Sequence, residues 1–548
     1  MQKARWLPVV FIALAELQGA VPNLTNAHQR AANRQRRIVV QLDGADHRRV
    51  KCTPQEWLRY MFAYADQPGA QIDSIFWDIG LDTDSAVYPS KVLPPTPDQW
   101  IRAWRQEGFE WVGALVGECR KRHIEVFWNH RFSEVDLTAN GKLEMSRLHP
   151  LKAEHPDWLI RSWWWQGLWN AAVPGVRRMK VGILRELAEN YALDGVQIDF
   201  ARHVPALPPG RQWENRDGAT EFLREVRTML LEVEKTRGQP LLLSVKVPRN
   251  VDGAHADGFD VETWAQERLV DLLTLGSRSM DVDVEGYRRA TAGSGIKLMP
   301  CFDDHHTTDG YRFGPMEFLR GVFSSWWQQG ADAVTTFNCG VAPPEWAARI
   351  GDIATPETHG RAYLEIGSPR TLRGRNKLFA VERRGGYPWA EGFFNRNDTA
   401  PLPQVLANDD RISSFIIRVA DDPADLATAE TSLRLVLFRA GTEDRLEVKW
   451  DGADLPEPHL EPDWKDPQIF SPDPQPASGG SGEYKINPKQ KLLLLVYHLD
   501  PARLRQGANT VQVRVKRRGA YAPASNIQVE KLEVGVQYRS QPEQRGLY

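Results

Sequence analysis

Polar and charged side chains stand directly after a series of short apolar runs in the first two thirds of the sequence. They comprise carboxylates, arginines, histidines and one amide, at Asp43, Asp78, His130, Arg131, Asp136, Asp199, Arg202, His203, Asp303 and Asn338. Paired carboxylates suit hydrolysis of a glycosidic bond, because one group must protonate the leaving oxygen while another activates water or attacks carbon. These residue types therefore predict chemistry on a sugar, provided that the fold gathers them at one place.

Two of these residues, Arg131 and Arg202, indicate the charge of the substrate. A guanidinium binds a carboxylate through two parallel hydrogen bonds and stays charged at any working pH. A pair of arginines therefore suits a substrate with an acidic group. The alternative is that both arginines form structural ion pairs with neighbouring carboxylates, namely Asp43, Asp78, Asp136 or Asp199.

A cluster of tryptophans lies in the long segment between the third apolar run and the helix that follows it. Flat aromatic faces can stack on the C–H faces of sugars, although large aromatic side chains mostly bury for packing reasons. Long ordered loops often line active sites. Sugar stacking and core packing therefore both stay open for these side chains, which are Trp163, Trp164, Trp165 and Trp169, and also Trp77 and Trp128.

The segment Asp303-Asp304-His305-His306 has the residue types of a metal site without the spacing of one. Four successive residues cannot all face one ion, and no H-E-x-x-H motif supports them. We therefore interpret the segment as a polar loop that lines the pocket, with Asp303 nearest the site. The four cysteines form no C-x-x-C pair, which predicts buried thiols. We expect no metal and no cofactor.

Eight apolar runs alternate with longer amphipathic segments, which is typical of repeated βα units. The runs are Ile38–Leu42, Ser74–Trp77, Ile124–Trp128, Gly195–Phe200, Leu241–Val247, Leu272–Leu275, Leu298–Phe302 and Val334–Phe337. The predicted fold is an α/β (β/α)8 TIM barrel, whose strands all end at one catalytic rim. A doubly wound sheet is the alternative, but the residues after the first run, Leu42 to Asp46, lack its G-x-G-x-x-G loop.

The sequence predicts three regions. Residues 1–36 have the character of a signal peptide or a disordered N-terminal tail, because Lys3 and Arg5 precede an apolar run with an A-x-A site, and this favours a secreted or periplasmic bacterial protein. Residues 37–367 form the barrel. From residue 368 to 548, β-rich runs replace helical spacing and predict a C-terminal all-β sandwich, which either stabilises the catalytic unit or binds carbohydrate.

The amino-acid composition limits the classes of molecule that the protein is expected to bind. The 548 residues carry a net charge of -2, so no strong overall field is available for binding nucleic acid or anionic membranes. Hydrophobic residues make up 42% and charged residues 26%, as in ordinary globular proteins. No stretch reaches the 18 or so apolar residues that span a bilayer. We expect a glycan as the partner, and leave a homodimer open.

Six sequence strings resemble a group of bacterial barrel proteins classed as glycosyl-hydrolase-like. They are Gln41 to Ala45, Ile75 to Gly80 with Tyr88 to Val92, Glu125 to Arg131, Glu154 to Leu159, and Asp194 to His203. Within that group they are similar to glycoside hydrolase family 156, which comprises inverting exo-sialidases with a (β/α)8 domain and a β-rich C-terminal part. The resemblance covers most of residues 37 to 340.

The resemblance implies a role for several residues. It makes Asp43 the catalytic aspartate of the first strand and Arg131 a site arginine, and it places Arg202 and Asn338 beside the carboxylate of a sialic acid. Where the family has a catalytic histidine, five residues after Arg131, this sequence has Asp136. Either Asp136 handles the proton with Asp43, or His130 or His203 does so, or the chain hydrolyses a different glycoside.

The resulting hypothesis is inversion by one water molecule. Asp43 with Asp136 activates the water, and His203 or Asp78 assists the leaving group. The other rim residues contact substrate, namely Arg131, Arg202, Asn338, Asp78, Asp199, His130 and Asp303. Two alternatives stay open: a glycosidase for a neutral polysaccharide, which uses Asp199 and Asp43, and a noncatalytic carbohydrate-binding barrel.

Overall fold

A computed structural model of the chain provides the three-dimensional framework. The structure describes residues 23–43, 52–78, 85–96, 98–134, 150–164, 166–276, 279–303, 310–311, 314–337, 339, 360–383, 400–427, 429–466, 491–520 and 525–539. All statements below about contacts concern these residues.

Eight parallel strands close into a barrel. The first ten strands in chain order are β1 (Ile38–Asp43), β2 (Ile72–Asp78), β3 (Glu125–Arg131), β4 (Leu159–Ile160), β5 (Leu168–Trp169), β6 (Gly195–Asp199), β7 (Leu242–Val247), β8 (Leu272–Leu275), β9 (Lys297–Asp303) and β10 (Val334–Phe337). The barrel order is β1-β10-β9-β8-β7-β6-β3-β2, and β1 pairs with both β10 and β2. Strands β4 and β5 pair with each other outside the barrel. The predicted barrel is confirmed, since each of the eight apolar runs forms one of its strands.

Helices cover the outside of the barrel. Those described before the last barrel strand are α1 (Asn26–Ala32), α2 (Pro54–Phe62), α3 (Gln99–Gln106), α4 (Trp111–Lys121), α5 (Pro150–Glu154), α6 (Pro174–Asn190), α7 (Arg216–Arg237), α8 (Val251–Ala256), α9 (Val261–Gln266), α10 (Val284–Ala290) and α11 (Met316–Gln328). Local signals explain several ends: Thr53 and Glu56 form a capping box around Pro54, and Gly238 ends α7 with a positive φ of 69°.

The barrel interior is layered, because alternate residues of a strand point to the same side. One layer is apolar and contains Val39, Phe76, Phe127, Leu242, Leu272, Met299 and Ala333. Two residues further along the strands, towards their carboxyl ends, the buried residues are polar: Gln41, Asn129, Gln197, Ser244 and Thr274. This polar layer lies directly below the rim.

The opposite end of the barrel is closed by α1. His28 of α1 is fully buried, with Nδ1 2.6 Å from Glu234 Oε2 and Nε2 3.0 Å from Asp271 Oδ1. Arg36 donates to both oxygens of Glu125 at 2.7 Å. The prediction of a disordered tail up to residue 36 is therefore wrong for residues 23–36, because buried ion pairs hold this segment against the barrel. Residues 1–22, including the predicted leader, lie outside the described residues.

After the barrel come three short helices and a two-sheet domain. The helices are α12 (Arg361–Glu365), α13 (Pro369–Leu372) and α14 (Pro423–Leu426), and the strands are β11 (Lys377–Ala380), β12 (Gln404–Val405), β13 (Ser413–Val419), β14 (Ala429–Phe438), β15 (Arg445–Trp450), β16 (Ala453–Asp454), β17 (His459–Trp464), β18 (Leu492–Leu499), β19 (Gly507–Arg517) and β20 (Gln528–Tyr538). One antiparallel sheet has the order β11-β20-β14-β18-β17, with β12 beside β20, and the other has the order β13-β19-β15-β16. Phe415, Leu433, Trp450 and Val534 share one core between the sheets, which confirms the predicted sandwich.

The sandwich contacts loops at the carboxyl ends of barrel strands. Glu382, just after β11, accepts from Arg249 NH1 at 3.1 Å and from Ser279 Oγ at 2.7 Å. Tyr311, which follows β9, donates to Glu533 Oε1 at 2.9 Å.

Within the described part of the chain no helix is both long and apolar enough to cross a membrane. The boundaries 37–367 and 368–548 stay predictions.

Candidate active site

Charged side chains meet at the rim where β2, β3, β6 and β7 end. The strand register places Asp43 beside Asp78, Arg131 beside Asp199, and Asp199 beside Lys246. Asp78, Arg131, Asp199 and Lys246 are all buried. Of Asp43 only the backbone position is described. The rim of the barrel therefore brings together carboxylates and cations from strands that are far apart in the sequence.

Arg131 is ion-paired within the scaffold. Its Nε donates to Asp78 Oδ2 at 2.7 Å and its NH1 donates to Glu134 Oε2 at 2.9 Å, while its side chain is only 1% exposed. Breaking a buried ion pair costs about 3–5 kcal/mol, so recruiting this guanidinium for a substrate carboxylate is unfavourable. These ion pairs agree with the structural alternative for Arg131, and its contact with a substrate carboxylate stays a prediction.

Asp78 is a hydrogen-bond acceptor. Its Oδ2 accepts from Asn129 Nδ2 and from Arg131 Nε, both at 2.7 Å. Two donors on one carboxylate oxygen, one of them a guanidinium, favour the ionised carboxylate. Assistance to a leaving group requires a proton on the acid. The contacts of Asp78 therefore favour His203 over Asp78 as the group that supplies this proton, and the choice between the two stays a prediction.

Asp199 organises the turn after β6. Its Oδ1 accepts from the backbone N–H groups of Ala201 and Arg202, both at 2.9 Å. Its Oδ2 lies 3.4 Å from Gln41 Nε2 and 3.8 Å from Lys246 Nζ. One oxygen of Asp199 thus fixes the backbone that leads to Arg202 and His203, and the other faces the side chains of the barrel interior.

His203 is oriented by the loop that follows β3. Its Nδ1 lies 2.9 Å from the carbonyl oxygen of Ser133, which requires a proton on Nδ1. Glu134 Oε1 lies 3.6 Å from the same nitrogen, where its charge stabilises a protonated ring. A second proton on the ring must therefore be carried by Nε2. Glu134 links His203 to Arg131, a role that its position three residues after that arginine does not reveal in the sequence.

The other predicted site residues divide into three groups. Arg202 and Asp303 lie buried at the rim, after β6 and at the end of β9. The alternation of β3 places His130 with Trp128 on the helix-facing side of the barrel wall, so the expected contact of His130 with substrate is not supported. Asp136 and Asn338 lie outside the described residues, as does the side chain of Asp43.

Most of the described tryptophans that were candidates for sugar stacking pack in the protein core. Trp77, Trp128 and Trp169 are fully buried in the main core, and Trp77 Nε1 donates to Cys119 Sγ of α4 at 3.3 Å. Trp163 is half-buried and its Nε1 donates to the carbonyl oxygen of Val204 at 2.7 Å. The core-packing alternative therefore applies to Trp77, Trp128 and Trp169, while Trp165 lies outside the described residues.

No group of three potential metal ligands occurs among the residues that the structure describes. Asp304, His305 and His306 are outside that set. Burial raises the pKa of the Cys119 and Cys301 thiols to about 12, so neither is a thiolate near neutral pH. Nucleophilic chemistry on these two cysteines is therefore unfavourable.

The polar layer below the rim and Lys246 are not among the site residues predicted from the sequence. Lys246 Nζ donates to Gln41 Oε1 at 3.1 Å and lies 4.3 Å from the centre of the Phe337 ring. The available signal was the two-residue period: Gln41, Gln197 and Ser244 occupy the same side of their strands as the apolar interior layer. A polar residue at such a position must be hydrogen-bonded inside the barrel.

Comparison with known proteins agrees with a sugar-active barrel. Residues 59–214, which contain Asp78, Arg131, Asp199 and His203, match the model of a family described as Glycosyl hydrolase-like 10. No curated protein matches the chain significantly. The chain is thus a (β/α)8 barrel protein with a glycosyl-hydrolase-like segment that includes most of its described rim charges.

Solved structures resemble the chain only distantly. One is alpha-L-fucosidase isoenzyme 2 from Paenibacillus thiaminolyticus, with 14% identity over 63% of this chain and a TM-score of 0.39; the match spans 51%, about half, of the fucosidase chain. Another is the PgaB (BpsB) glycoside hydrolase domain from Bordetella bronchiseptica, with 11% identity over 61% of this chain and 99% of that chain, and a TM-score of 0.39. Both similarities are too distant to transfer an activity.

Proposed function

We propose that the chain is a glycoside hydrolase whose active site is the carboxyl-end rim of the barrel. The observation that carries this proposal is the buried group formed by Asp78, Arg131, Glu134 and His203, next to Asp199. It supplies fixed carboxylates and a histidine with a defined tautomer at the place where barrel enzymes perform their chemistry. The glycosyl-hydrolase-like match over residues 59–214 includes every member of this group.

In the proposed reaction, the oxygen of a water molecule attacks the anomeric carbon while the glycosidic C–O bond breaks. The leaving oxygen takes a proton from His203 Nε2, because Nδ1 is directed to the carbonyl of Ser133 and Glu134 stabilises the charged ring. Asp43, with Asp136, takes a proton from the attacking water. The configuration of the anomeric carbon is inverted if the water attacks in the same step in which the protonated leaving group departs.

The finer proposal is an exo-sialidase that releases a terminal sialic acid or a related acidic sugar. It rests on the resemblance to family 156 and on Arg202 as the anchor of the substrate carboxylate, rather than on a pair of arginines; Asn338 is proposed to orient that carboxylate. Arg131 instead holds Asp78 and Glu134 in place. Asp199 and Asp303 are the proposed polar contacts to the rest of the sugar.

A second candidate is hydrolysis of a neutral glycoside. The ion pairing of Arg131 favours it, because one of the two guanidinium groups expected for an acidic substrate is already neutralised. Asp199 and Asp43 would then be the reacting carboxylates. A noncatalytic sugar-binding barrel is the remaining alternative.

A panel of aryl glycosides tests these candidates, with an aryl sialoside beside neutral hexosides and N-acetylhexosaminides. We expect sialic acid release by the wild type, its loss in Arg202→Ala, and its retention in Arg211→Ala. Arg211 is the matched control, since it lies on the same connection after β6 but is exposed and paired with Glu214. If the wild type instead releases a neutral sugar, and Arg202→Ala does so equally well, the proposed substrate changes from an acidic to a neutral glycoside. Binding without release from any glycoside would contradict hydrolysis.

A further inference from the structure

The polar layer below the rim is one continuous set of hydrogen bonds centred on Gln197. Its Nε2 donates to Asn129 Oδ1 at 2.7 Å and to Gln41 Oε1 at 3.3 Å. Its Oε1 accepts from Thr274 Oγ1 at 2.6 Å and from Ser244 Oγ at 3.0 Å. All four hydrogen-bonding positions of this fully buried amide are therefore used.

Two branches leave Gln197 and each ends on a carboxylate of the rim. Asn129 Nδ2 donates to Asp78 Oδ2 at 2.7 Å. Gln41 Nε2 faces Asp199 Oδ2 at 3.4 Å. Gln197 thus connects the carboxyl groups of Asp78 on β2 and Asp199 on β6, which belong to the proposed active site: Asp78 lies at the same level of the barrel as Gln197, and Asp199 lies one layer above it.

The direction of these hydrogen bonds is fixed from both ends. A lysine ammonium can only donate, so Lys246 turns the Gln41 oxygen towards itself and the Gln41 amino group towards Asp199. An ionised carboxylate can only accept, so Asp78 turns the amino group of Asn129 towards itself and leaves the Asn129 oxygen for Gln197. Both constraints demand the same orientation of Gln197, with its Nε2 directed to the two oxygens.

We propose that Gln197 is a positioning residue of the proposed glycosidase, which holds Asp78 and Asp199 as hydrogen-bond acceptors in a fixed mutual arrangement. This inference rests on the proposed function of the rim. Gln197 does not contact substrate; it acts through Asn129 and Gln41. Without the Nε2 group of Gln197, the buried oxygens Asn129 Oδ1 and Gln41 Oε1 each lose one hydrogen-bond donor. Asn129 and Gln41 then lose a contact that orients their side chains.

Two variants separate the donor role of Gln197 from its size. Gln197→Met cannot donate at any pH. Gln197→Glu has nearly the same shape, and its protonated form can donate to Asn129 Oδ1 while its other oxygen accepts from Thr274 and Ser244. When that carboxyl ionises, it places an acceptor against the oxygens of Asn129 and Gln41. Acidic pH should therefore restore the Glu variant and leave the Met variant unchanged.

The test measures kcat and KM against pH on a glycoside that the wild type hydrolyses, together with the melting temperature of each variant. We expect Gln197→Met to lower kcat about tenfold or more at every pH with KM within about twofold, as for a loss of positioning. The ratio of kcat in Gln197→Glu to wild type should rise towards one as pH falls. Thr335→Val is the matched control: Thr335 is also buried in the barrel wall, and its Oγ1 has no hydrogen-bond partner among the described residues.

The outcomes are separable. If both Gln197 variants melt at lower temperature but keep the wild-type kcat, the layer only stabilises the barrel and the positioning role is wrong. If the wild type hydrolyses no glycoside, the proposed function fails, and the melting temperatures still test the inference. In that case a deficit of Gln197→Glu that narrows at acidic pH supports the donor direction, whereas equal deficits of the two variants at every pH overturn it.

Discussion

The two ends of the barrel both contain buried charges, but they use them differently. At the end closed by α1, His28, Glu234, Asp271 and Arg227 pair with one another, as do Arg36 and Glu125, and a helix covers them. At the rim, Arg131 also pairs with Asp78 and Glu134, but Asp78 and Asp199 in addition accept hydrogen bonds from the amides of Asn129 and Gln41 in the polar layer. Charges that are fully paired under a helix stabilise the fold, whereas carboxylates held as acceptors at a barrel rim can take part in chemistry.

Removal of the proposed proton donor should have the largest effect on catalysis. We expect His203→Gln to lower kcat about a hundredfold to ten-thousandfold on an alkyl glycoside, which is the range of general acid catalysis. The loss should be much smaller with a nitrophenyl leaving group, which departs without a proton. His255→Gln is the control, because His255 of α8 pairs with Glu262 of α9 and has no role in the proposed reaction. Equal losses for both leaving groups would contradict the acid role.

At the closed end, the expected effect is on stability alone. Arg36→Met leaves Glu125 buried without its principal partner, which should lower the free energy of unfolding by about 3–5 kcal/mol. The double variant Arg36→Met/Glu125→Gln should recover most of that loss, and kcat should stay at the wild-type value in both. Urea denaturation and a glycoside assay on the same samples check this. A fall in kcat without a fall in stability would remove the distinction between the two ends.

The histidine at the closed end should make stability depend on pH. Burial lowers the pKa of His28, but hydrogen bonds and charges from Asp271 and Glu234 outweigh burial and the opposing Arg227, so the net pKa is raised above 6.5. A raised pKa in the folded state means that protonated His28 stabilises the fold fully below about pH 6.5 and loses this contribution as pH rises through the folded value. The free energy of unfolding should fall over that window in the wild type and less in His28→Gln. Identical pH dependence in the two proteins would exclude His28 as the cause.

The smallest effect is expected at an exposed ion pair on the rim side. Arg211→Ala breaks its contact with Glu214, and such surface pairs contribute about 0–1 kcal/mol. Neither the melting temperature nor kcat should change appreciably. A large loss of activity would show that the connection after β6 contacts substrate further out than Arg202.

The sequence predicted the barrel strands well because apolar runs of four to seven residues follow directly from burial of a parallel strand on both sides. It named Asp78 among four candidate partners of Arg131 but did not single it out, since Asp78 lies on another strand and reaches the arginine only when the barrel closes. Gln41 and Gln197 were missed because one polar residue within an apolar run does not indicate which side of the strand it faces until the register is known.

For the amino-terminal segment, the sequence predicted too little order. Residues 1–36 were predicted to be a signal peptide or a disordered tail, yet Arg36 is buried against Glu125 and Arg37 donates to Asp73 at 2.8 Å. A composition argument cannot detect carboxylates that approach from β2 and β3. The sequence likewise indicated no role for Glu134, because its contacts with Arg131 and His203 depend on the turns after β3 and β6.

Hydrolysis in water enriched in oxygen-18, with mass spectrometry of both products, tests the central claim most directly. We expect the wild type to release a free sugar that carries one oxygen-18 atom at its anomeric carbon, an unlabelled aglycone, and almost no release by His203→Gln from an alkyl glycoside. No sugar release from any glycoside, or label in the aglycone, would contradict attack of water on the anomeric carbon at this rim.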